Sequence, residues 1–269
     1  MSVLRDFFGF FKDIYINKSL ILRLSKKDFQ SKHLGSYLGI LWAFVHPALM
    51  ILIYWFVFQV GFRSMPIGDI PFILWLLSGM VPWLFFSESV SGAANAVVDN
   101  SYLVKKVVFK VEILPVVKII SASFIHIFFV SILFLLLNLY DFPNTIYYLQ
   151  YFYYLFATLV LVTGLTMVLS ALIVFIKDVG QILNMILQFG FWLTPIFWSY
   201  DILPEKYQIF IKLNPLYYIV DGYRQTFLYH TWFWERPSLT IYFWGFCTVL
   251  LFVGVTLFKK LRPHFSDVL

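Results

Sequence analysis

Long apolar stretches separated by short polar breaks run through most of the chain, from about Gly39 to Phe258. A helix needs about 20 predominantly apolar residues to cross the roughly 30 Å hydrocarbon core of a membrane. We predict that each such stretch is a helix, because an open sheet would leave backbone groups unsatisfied in lipid. The six predicted spans are about Gly39–Phe62, Pro71–Val90, Ile113–Leu137, Ile146–Ile176, Gln181–Trp198 and Leu239–Phe258.

The composition leads to the same class of protein. Hydrophobic residues make up 61% of the chain and charged residues 13%, and the mean hydropathy is +0.82. A soluble domain of 269 residues could not bury so much apolar surface in one core. We therefore predict an all-α integral membrane protein with six transmembrane helices. Its parts are a cytoplasmic N-terminal region at 1–38, a membrane domain at 39–258 and a cytoplasmic tail at 259–269.

The distribution of positive charge predicts the orientation. Basic residues are dense before the first span, between the second and third spans and in the tail, whereas the first outer loop has only Arg63. By the positive-inside rule both termini are cytoplasmic. The basic residues that carry this argument are Arg5, Lys12, Lys18, Arg23, Lys26, Lys27, Lys32, Lys105, Lys106, Lys110, Lys177, Lys259, Lys260 and Arg262.

The N-terminal region has the pattern of an amphipathic helix from Val3 to Ile16. Such a helix lies in the membrane interface with its aromatic face down. Two roles of this helix are compatible with its residues. It either only anchors the protein to lipid or also docks a soluble partner. The predicted apolar face consists of Leu4, Phe7, Phe8, Phe11, Ile14 and Tyr15.

The segment between the fifth and sixth spans, about 199–238, is too apolar for a solvated loop. Its apolar runs are too short to span a membrane, and Asn214-Pro215 interrupts them, while Asp221 and Arg224 lie one helical turn apart. We predict a re-entrant helical hairpin in the outer leaflet, which needs protein or a wet cavity around its backbone. The alternative is an interfacial belt of aromatic residues. The candidate site residues here are Asn214, Pro215, Tyr218, Asp221, Tyr223 and Arg224.

Motifs for enzymatic chemistry do not occur in this sequence. There is no phosphate-binding loop, no zinc-protease motif and no nucleophile elbow. The single cysteine, Cys247, excludes a disulfide within the chain. Ionisable residues in the spans are few, and we expect Lys118 to extend to the cytoplasmic interface. We predict no catalytic residue, no metal site and no cofactor bound by this chain.

Several short motifs follow one another in an order that resembles the membrane subunit of type-2 ABC polysaccharide exporters. Two positions depart from that pattern, Lys110 where the family usually has Pro and His33 where it often has Tyr. The motifs are Arg23…Lys27-Asp28-Phe29…Lys32-His33-Leu34-Gly35-Ser36-Tyr37-Leu38-Gly39…Pro47, Gly79-Met80-Val81-Pro82-Trp83, Asn100…Phe109, Ile113-Leu114-Pro115, Phe175…Lys177-Asp178-Val179, Thr194-Pro195-Ile196-Phe197, Asn214-Pro215…Tyr223-Arg224 and Pro263-His264-Phe265-Ser266-Asp267.

This resemblance implies a partnership. Such subunits form homodimers, and each binds a separate ABC ATPase that holds ATP and Mg. The cargo is an undecaprenyl-diphosphate-linked polymer, exported across the cytoplasmic membrane of a bacterium. Within the family, Tyr54-Trp55, Pro82 to Phe86 and Trp234 to Trp244 look most like the wall teichoic acid branch, with O-antigen and capsule permeases as the alternative. No nucleic-acid partner is expected.

The resemblance also implies roles for particular residues. ATPase coupling is expected at Tyr102, Leu103, Val104, Lys105, Lys106, Phe109, Lys177 and Asp178. Binding of the cargo phosphates is expected at Arg23, Lys27, Lys32 and His33, with Lys105 and Lys106 as the alternative. The pathway aromatics are Trp42, Tyr54, Trp83 and Phe86.

Two readings from other classes stay open on the residues alone. A multi-pass transferase acting on lipid-linked glycans would need an acid or base in a wet cavity, for which Glu88 and the Asp221 region are the candidates. A structural scaffold would need neither a partner ATPase nor a catalytic group.

Overall fold

The computed structural model describes residues 2–32, 37–63, 70–105 and 109–269, with side chains from residue 7 onward. In these parts of the chain the regular elements are helices, which agrees with the predicted all-α class. The helices are α1 Ser2–Ile16, α2 Lys18–Ser31, α3 Trp42–Trp55, α4 Phe72–Ala94, α5 Ala96–Asp99, α6 Ser101–Val104, α7 Ile113–Leu139, α8 Gln150–Phe175, α9 Asp178–Leu193, α10 Glu205–Lys212, α11 Pro215–Arg224, α12 Pro237–Leu261 and α13 Phe265–Val268.

Five helical segments of the described chain are long and apolar enough to cross a membrane. They correspond to the first, second, third, fourth and sixth predicted spans. Their bounds are Gly39–Gly61, Phe72–Ala94, Ile113–Leu139, Ile146–Phe175 and Pro237–Val268.

The predicted fifth span forms a shorter helix than expected. Helix α9 has 16 residues, which gives about 24 Å of length at 1.5 Å per residue. It ends at Leu193 because Thr194 takes an extended conformation, with φ −82° and ψ 133°, as residues before a proline do. The six-span arrangement and its orientation therefore stay predictions.

The centre of the bundle is built on α4, α7, α8 and α12. Helix α8 packs along α12, and α4 packs against both α7 and α8. Two glycines allow α8 and α12 to approach closely, since a Cβ atom at position 254 would lie 2.5 Å from the carbonyl oxygen of Gly164. Small residues at such crossings let the backbones of membrane helices pack together.

The bundle has two different ends. One end, which we call the terminal end, carries α1, α2, α5, α6 and α13, and a buried apolar cluster there joins Phe10, Val97, Val117, Phe258 and Phe265. The other end carries α10 and α11, and we call it the hairpin end. The segment 199–238 thus contains two helices, and their arrangement as a re-entrant hairpin stays a prediction.

Helix α1 buries a different part of its apolar face than the sequence suggested. Phe10, which the prediction left out, is 1% exposed, whereas Phe8 is 67% and Tyr15 72% exposed. Phe10 lies three residues after Phe7 and four before Ile14, so these side chains share the edge of the helix that packs on the bundle. The exposed edge is left for lipid. The backbone of Leu4 is helical, but its side chain lies outside the described part.

The C-terminal segment is part of the fold. Helix α12 continues to Leu261, and α13 turns back so that the Phe265 ring packs 5.3 Å from the Phe258 ring. Arg262 Nη1 donates to Glu112 Oε1 at 2.6 Å, which fixes the tail to the residues just before α7.

Candidate functional site

Lys118 on α7 joins three elements at the terminal end. Its Nζ lies 2.8 Å from Asp28 Oδ1 on α2 and 3.4 Å from Asp99 Oδ2 at the end of α5. The side chains of Lys118 and Asp28 are only 12% and 13% exposed. Two acidic partners thus hold the ammonium group of Lys118, and its extension to the membrane interface stays a prediction.

Helix α2 presents a basic face on the side away from Lys118. Ser25 Oγ donates to the carbonyl oxygen of Val117 at 2.9 Å, which sets α2 against α7. Arg23 and Lys27, two of the four predicted phosphate-binding residues, point outward and are exposed. This face is accessible to an anionic ligand.

The other two predicted phosphate-binding residues are in different situations. Lys32 Nζ lies 2.6 Å from Glu88 Oε1 on α4, so its charge is already matched by a carboxylate. His33 lies outside the described residues.

The predicted coupling segment is fixed on one side and open on the other. Leu103, Val104 and Phe109 are half-buried and pack against the cluster at the terminal end. Tyr102 is 61% exposed, and Lys105 is exposed as well. The segment therefore exposes Tyr102 and Lys105 on its outer side while its inner side packs on the bundle. Lys106 lies outside the described residues.

Lys177 and Asp178 form an exposed turn between α8 and α9 at the same end. The start of α9 lies near α5, since a Cβ atom at Gly180 would be 4.0 Å from Asn95 Oδ1, just before α5. Both groups of described coupling candidates thus lie at the terminal end, and a shared surface between them stays a prediction.

Three of the four predicted pathway aromatics meet around Phe191 of α9. The rings of Trp83 and Tyr54 lie 5.5 and 5.6 Å from it, and Phe86 lies 6.0 Å from Trp83. Trp42 is 45% exposed at the start of α3 and does not join them. Trp83 and Phe86 are 5% and 9% exposed, so within this chain they pack between α4 and α9.

At the hairpin end, Asn214 and Pro215 start α11. Asn214 Oδ1 accepts a hydrogen bond from the Leu216 amide at 3.0 Å, and Pro215 occupies the first helical position. This is the usual chemistry of a helix N-terminus. The Asn214 amide group also donates to Thr194 Oγ1 at 3.2 Å, which connects the hairpin to the end of α9.

Arg224, at the end of α11, is buried against α4. Its Nη1 and Nη2 donate to the carbonyl oxygens of Pro195 and Ile196 at 2.6 and 2.9 Å, and its guanidinium lies 3.5 Å from the Trp75 ring centroid. The side chain is accommodated beside Gly79, where a Cβ atom would lie 2.8 Å from Nη2. Burial lowers the pKa of Arg224 to about 10, so the group is still cationic at pH 7.

Asp221 is paired with Arg236 rather than with Arg224. The spacing on α11 suggested a pair one turn apart, but the ion pair runs to the residue before α12. Burial raises the pKa of the Asp221 carboxyl, and the two neighbouring arginines, Arg236 and Arg224, oppose that rise.

The two tyrosines predicted in this segment tie the hairpin to the spans. Tyr218 Oη lies 2.7 Å from Tyr153 Oη on α8 and 3.1 Å from Thr240 Oγ1 on α12. Tyr223 Oη lies 3.1 Å from His126 Nε2 on α7. These contacts give both tyrosines structural partners.

Sequence reasoning missed three residues of this end, namely Trp75, Gly79 as a contact of Arg224, and Arg236 as the partner of Asp221. A buried arginine beside a glycine has no local sequence signal, because the two residues come from different helices. Within the described ranges no group of three or more histidine, cysteine or acidic side chains could hold a metal ion.

Comparison with known proteins places the chain among transport proteins. The family model described as ABC-2 type transporter matches residues 19–228. The O-antigen export system permease protein RfbA of Klebsiella pneumoniae is 26% identical over 252 residues, which cover 93% of this chain and 95% of the relative.

Two further relatives cover the chain to a similar extent. The RfbA protein of Myxococcus xanthus, also named as an O-antigen export permease, is 25% identical over 258 residues, or 95% of this chain and 97% of the relative. The polysialic acid transport protein KpsM of Escherichia coli is 23% identical over 250 residues, or 91% and 94%.

Proposed function

The chain belongs to the ABC-2 type transporter family, and on that premise we propose that it is the membrane subunit of an ATP-driven exporter of a lipid-linked surface polysaccharide. The observation that carries the proposal is the link from Asp99 through Lys118 to Asp28, because it connects the segment that we assign to ATPase docking with the basic helix α2. The names of the relatives support a polysaccharide as the cargo.

The energy comes from a separate ATPase, since the sequence has no phosphate-binding loop. The ATPase docks on the exposed Tyr102 and Lys105 and on the turn at Lys177 and Asp178. Movement of this surface is transmitted along α5 to Asp99, where Lys118 passes it to α2 and α7. One ion-paired residue at a three-way contact is suited to this task, because both carboxylates must move with the ammonium group.

Two copies of the chain form the path for the polymer. The first span buries only Ala43 and Ile51, and α9 buries only Leu183, so both helices offer long apolar faces to a second copy or to lipid. A two-fold interface brings the same patch from each copy together. Trp83 and Phe86 pack against α9, and they line the polymer path when α9 moves away from them.

The cargo approaches from the inner leaflet along the basic face of α2. Arg23 and Lys27 attract the diphosphate of the lipid carrier, because exposed basic groups bind phosphate electrostatically and arginine binds it with two donors. Lys32 acts with Glu88 and contributes less free charge than the sequence suggested. This assignment requires the termini to be cytoplasmic, as the charge distribution predicts.

The identity of the polymer is a finer question. Wall teichoic acid is the cargo that the sequence motifs suggest, whereas the relatives are named for O antigen and polysialic acid. Deletion of the gene, followed by chemical analysis of the surface polymer that is lost, distinguishes these cargoes. Loss of a glycerol phosphate or ribitol phosphate polymer indicates wall teichoic acid, and loss of O antigen or polysialic acid indicates the alternatives.

Export and ATPase dependence are tested together. The tagged chain is purified from membranes, its bound proteins are identified, and ATP turnover of the complex is compared with that of the chain alone. We expect an ABC ATPase to co-purify, and we expect loss of the surface polymer after deletion. Modification of a lipid-linked glycan by the purified chain alone would overturn the proposal and favour the transferase.

The transferase receives no support from the carboxylates. Glu88 is paired with Lys32 and Asp221 with Arg236. A general acid or base needs a carboxylate within reach of its substrate, and these two are bound to basic side chains instead.

A further inference from the structure

A cavity of about 790 Å³ opens at the hairpin end between α11, the start of α12 and the segment that follows α9. Its volume lies within the roughly 300–1,000 Å³ that is typical of small-molecule sites. None of the roles proposed above uses this cavity.

One of the residues that line the cavity, Arg224, is a buried arginine whose hydrogen-bonding groups are only partly satisfied. Arg224 is 4% exposed, and its two terminal nitrogens are satisfied by backbone carbonyl oxygens. Its Nε has no hydrogen-bond partner among the described residues. A buried donor of a charged group is costly when unsatisfied, so an acceptor supplied by a ligand would be favourable here.

The charges on the lining are balanced. Three basic residues, Lys212, Arg224 and Arg236, face three acidic ones, Asp201, Asp221 and Glu235. A site for the phosphate groups of a polymer, as distinct from its sugar rings, would carry an excess of basic groups. A polyhydroxylated ligand fits a balanced lining better, because each hydroxyl both donates and accepts.

The walls add aromatic surface. The rings of Tyr200 and Tyr217 lie 5.5 Å apart with a tilt of 44°, and Tyr229 on the rim is 40% exposed. Tyrosine combines a flat apolar face with a polar tip, and the apolar faces of sugar rings stack on such surfaces. Aromatic walls with a few convergent polar groups are the usual composition of a ligand site.

We infer that this cavity is a binding site for a sugar unit of the polymer as it leaves the membrane domain. The sugar stacks on Tyr229, its ring or hydroxyl oxygens accept from Arg224 and Arg236, and its hydroxyls donate to Asp201 and Glu235. The inference rests on the proposed function, since it takes the exported polysaccharide as the ligand.

The single cysteine makes a direct occupancy test possible. Cys247 is fully buried, so Cys247→Ala provides a background for introducing one thiol on the cavity rim, Ser238→Cys, which replaces an exposed side chain. The matched control is Asn144→Cys, an exposed position outside the cavity lining. Labelling is measured in intact cells with a membrane-impermeant maleimide, with polymer synthesis active or blocked at its first step.

We expect polymer synthesis to slow labelling of Ser238→Cys by about three-fold, as occupancy of roughly two-thirds of the sites would do, and to leave Asn144→Cys unchanged. Equal labelling of Ser238→Cys in both conditions, while export continues, overturns the inference. Unchanged surface polymer in the deletion strain would instead refute the proposed function, so the two failures are distinguishable.

A second set of variants tests the stacking surface. Tyr229→Ala should remove the protection of Ser238→Cys and lower the surface polymer per permease, whereas Tyr229→Phe keeps the ring and should preserve both. Tyr140→Ala removes an exposed tyrosine that does not line the cavity and serves as the control. Retention of protection in Tyr229→Ala, at normal amounts of folded complex, contradicts the assigned role of Tyr229.

Discussion

Gly79 and Arg224 occupy one small space at the hairpin end of α4. A Cβ atom at Gly79 would lie 2.8 Å from Arg224 Nη2 and 3.5 Å from the carbonyl oxygen of Ile196, which that same nitrogen binds. The glycine on α4 therefore allows the last residue of α11 to reach the end of α9. Three elements meet through one guanidinium, and that contact determines where the hairpin lies on the bundle.

Gly79→Ala should displace the guanidinium and weaken its carbonyl hydrogen bonds. We expect a loss of about 1–3 kcal/mol in unfolding free energy, the usual cost of overpacking or of an unsatisfied buried donor. The thermal midpoint of the purified complex measures this. The control is Gly245→Ala on α12, where nothing lies within 4 Å of a Cβ atom, and an unchanged or higher midpoint is expected. Equal effects of the two variants would contradict the role of Gly79.

Lys118→Met should uncouple ATP hydrolysis from export. The change leaves Asp28 and Asp99 without their cation. We expect a loss of about 1–3 kcal/mol in unfolding free energy, the usual cost of an unsatisfied, mostly shielded polar group, because Asp28 is mostly shielded while Asp99 is half exposed. Adding Asp28→Asn should recover part of the stability but not the export. Export and ATP turnover are measured on the same preparations. The control Lys110→Gln removes an exposed contact with Asp13 at 3.6 Å and should change stability by less than about 1 kcal/mol. Normal export per ATP in Lys118→Met would refute the coupling path.

Arg23→Glu should lower export while leaving the complex folded. Arg23 is exposed, so its replacement should shift stability by no more than about 0.5 kcal/mol. Replacing arginine by glutamate changes the charge by two units, and at roughly 1 kcal/mol per unit charge this removes about 2 kcal/mol of attraction for an anionic ligand. That corresponds to about 30-fold in export rate at limiting cargo. Surface polymer per permease is the measurement, and unchanged export would remove Arg23 from the site.

Lys32→Glu should behave differently from Arg23→Glu. It places two carboxylates together, since Lys32 Nζ contacts Glu88 at 2.6 Å. The half-exposed pair contributes less than about 1 kcal/mol, so the expected loss of stability is modest. The exchange variant Lys32→Glu with Glu88→Lys restores the pair, and recovery of export in it indicates a structural pair. Stable protein that still fails to export would assign Lys32 to cargo binding.

Gly254→Val should separate α8 from α12. The side chain would enter a space where a Cβ atom already lies 2.5 Å from the Gly164 carbonyl oxygen, and a backbone atom cannot rotate away. We expect a loss of folded complex, measured as the monodisperse fraction after extraction in detergent. Gly245→Val, on the same helix, adds the same side chain in open space. A large loss in Gly245→Val as well would point to a general intolerance of α12.

Most of the spans could be predicted because apolar length is a local property of the chain. The five segments that the structure supports are continuous runs. Their ends differ from the predictions by up to four residues, except that the last segment continues to Val268 instead of ending near Phe258. The end of α9 was predicted too late, because the Thr194-Pro195 step breaks the helix inside an apolar run that continues to Trp198. The hydropathy of that run gave no sign of the break.

The sequence indicated which segments of the chain form the candidate sites, but it indicated few of the contacts between their side chains. The motifs around Gly79 and Arg224 were both recognised, but only the fold shows that they touch. The two acidic partners of Lys118 were missed for the same reason, since they come from α2 and α5. Side-chain pairs between distant helices depend on how the helices pack in the bundle. The spacing of residues along one helix carries no information about that packing.

The triad of Asp28, Lys118 and Asp99 limits how this subunit can be recombined with its relatives. A chimera that takes its N-terminal helices from another permease imports a new residue at position 28 while keeping the host's α7. If that residue is neutral, Lys118 retains only Asp99, whose side chain is 50% exposed. Exchange of the N-terminal helices between relatives therefore requires the aspartate and the lysine to be transplanted as a unit.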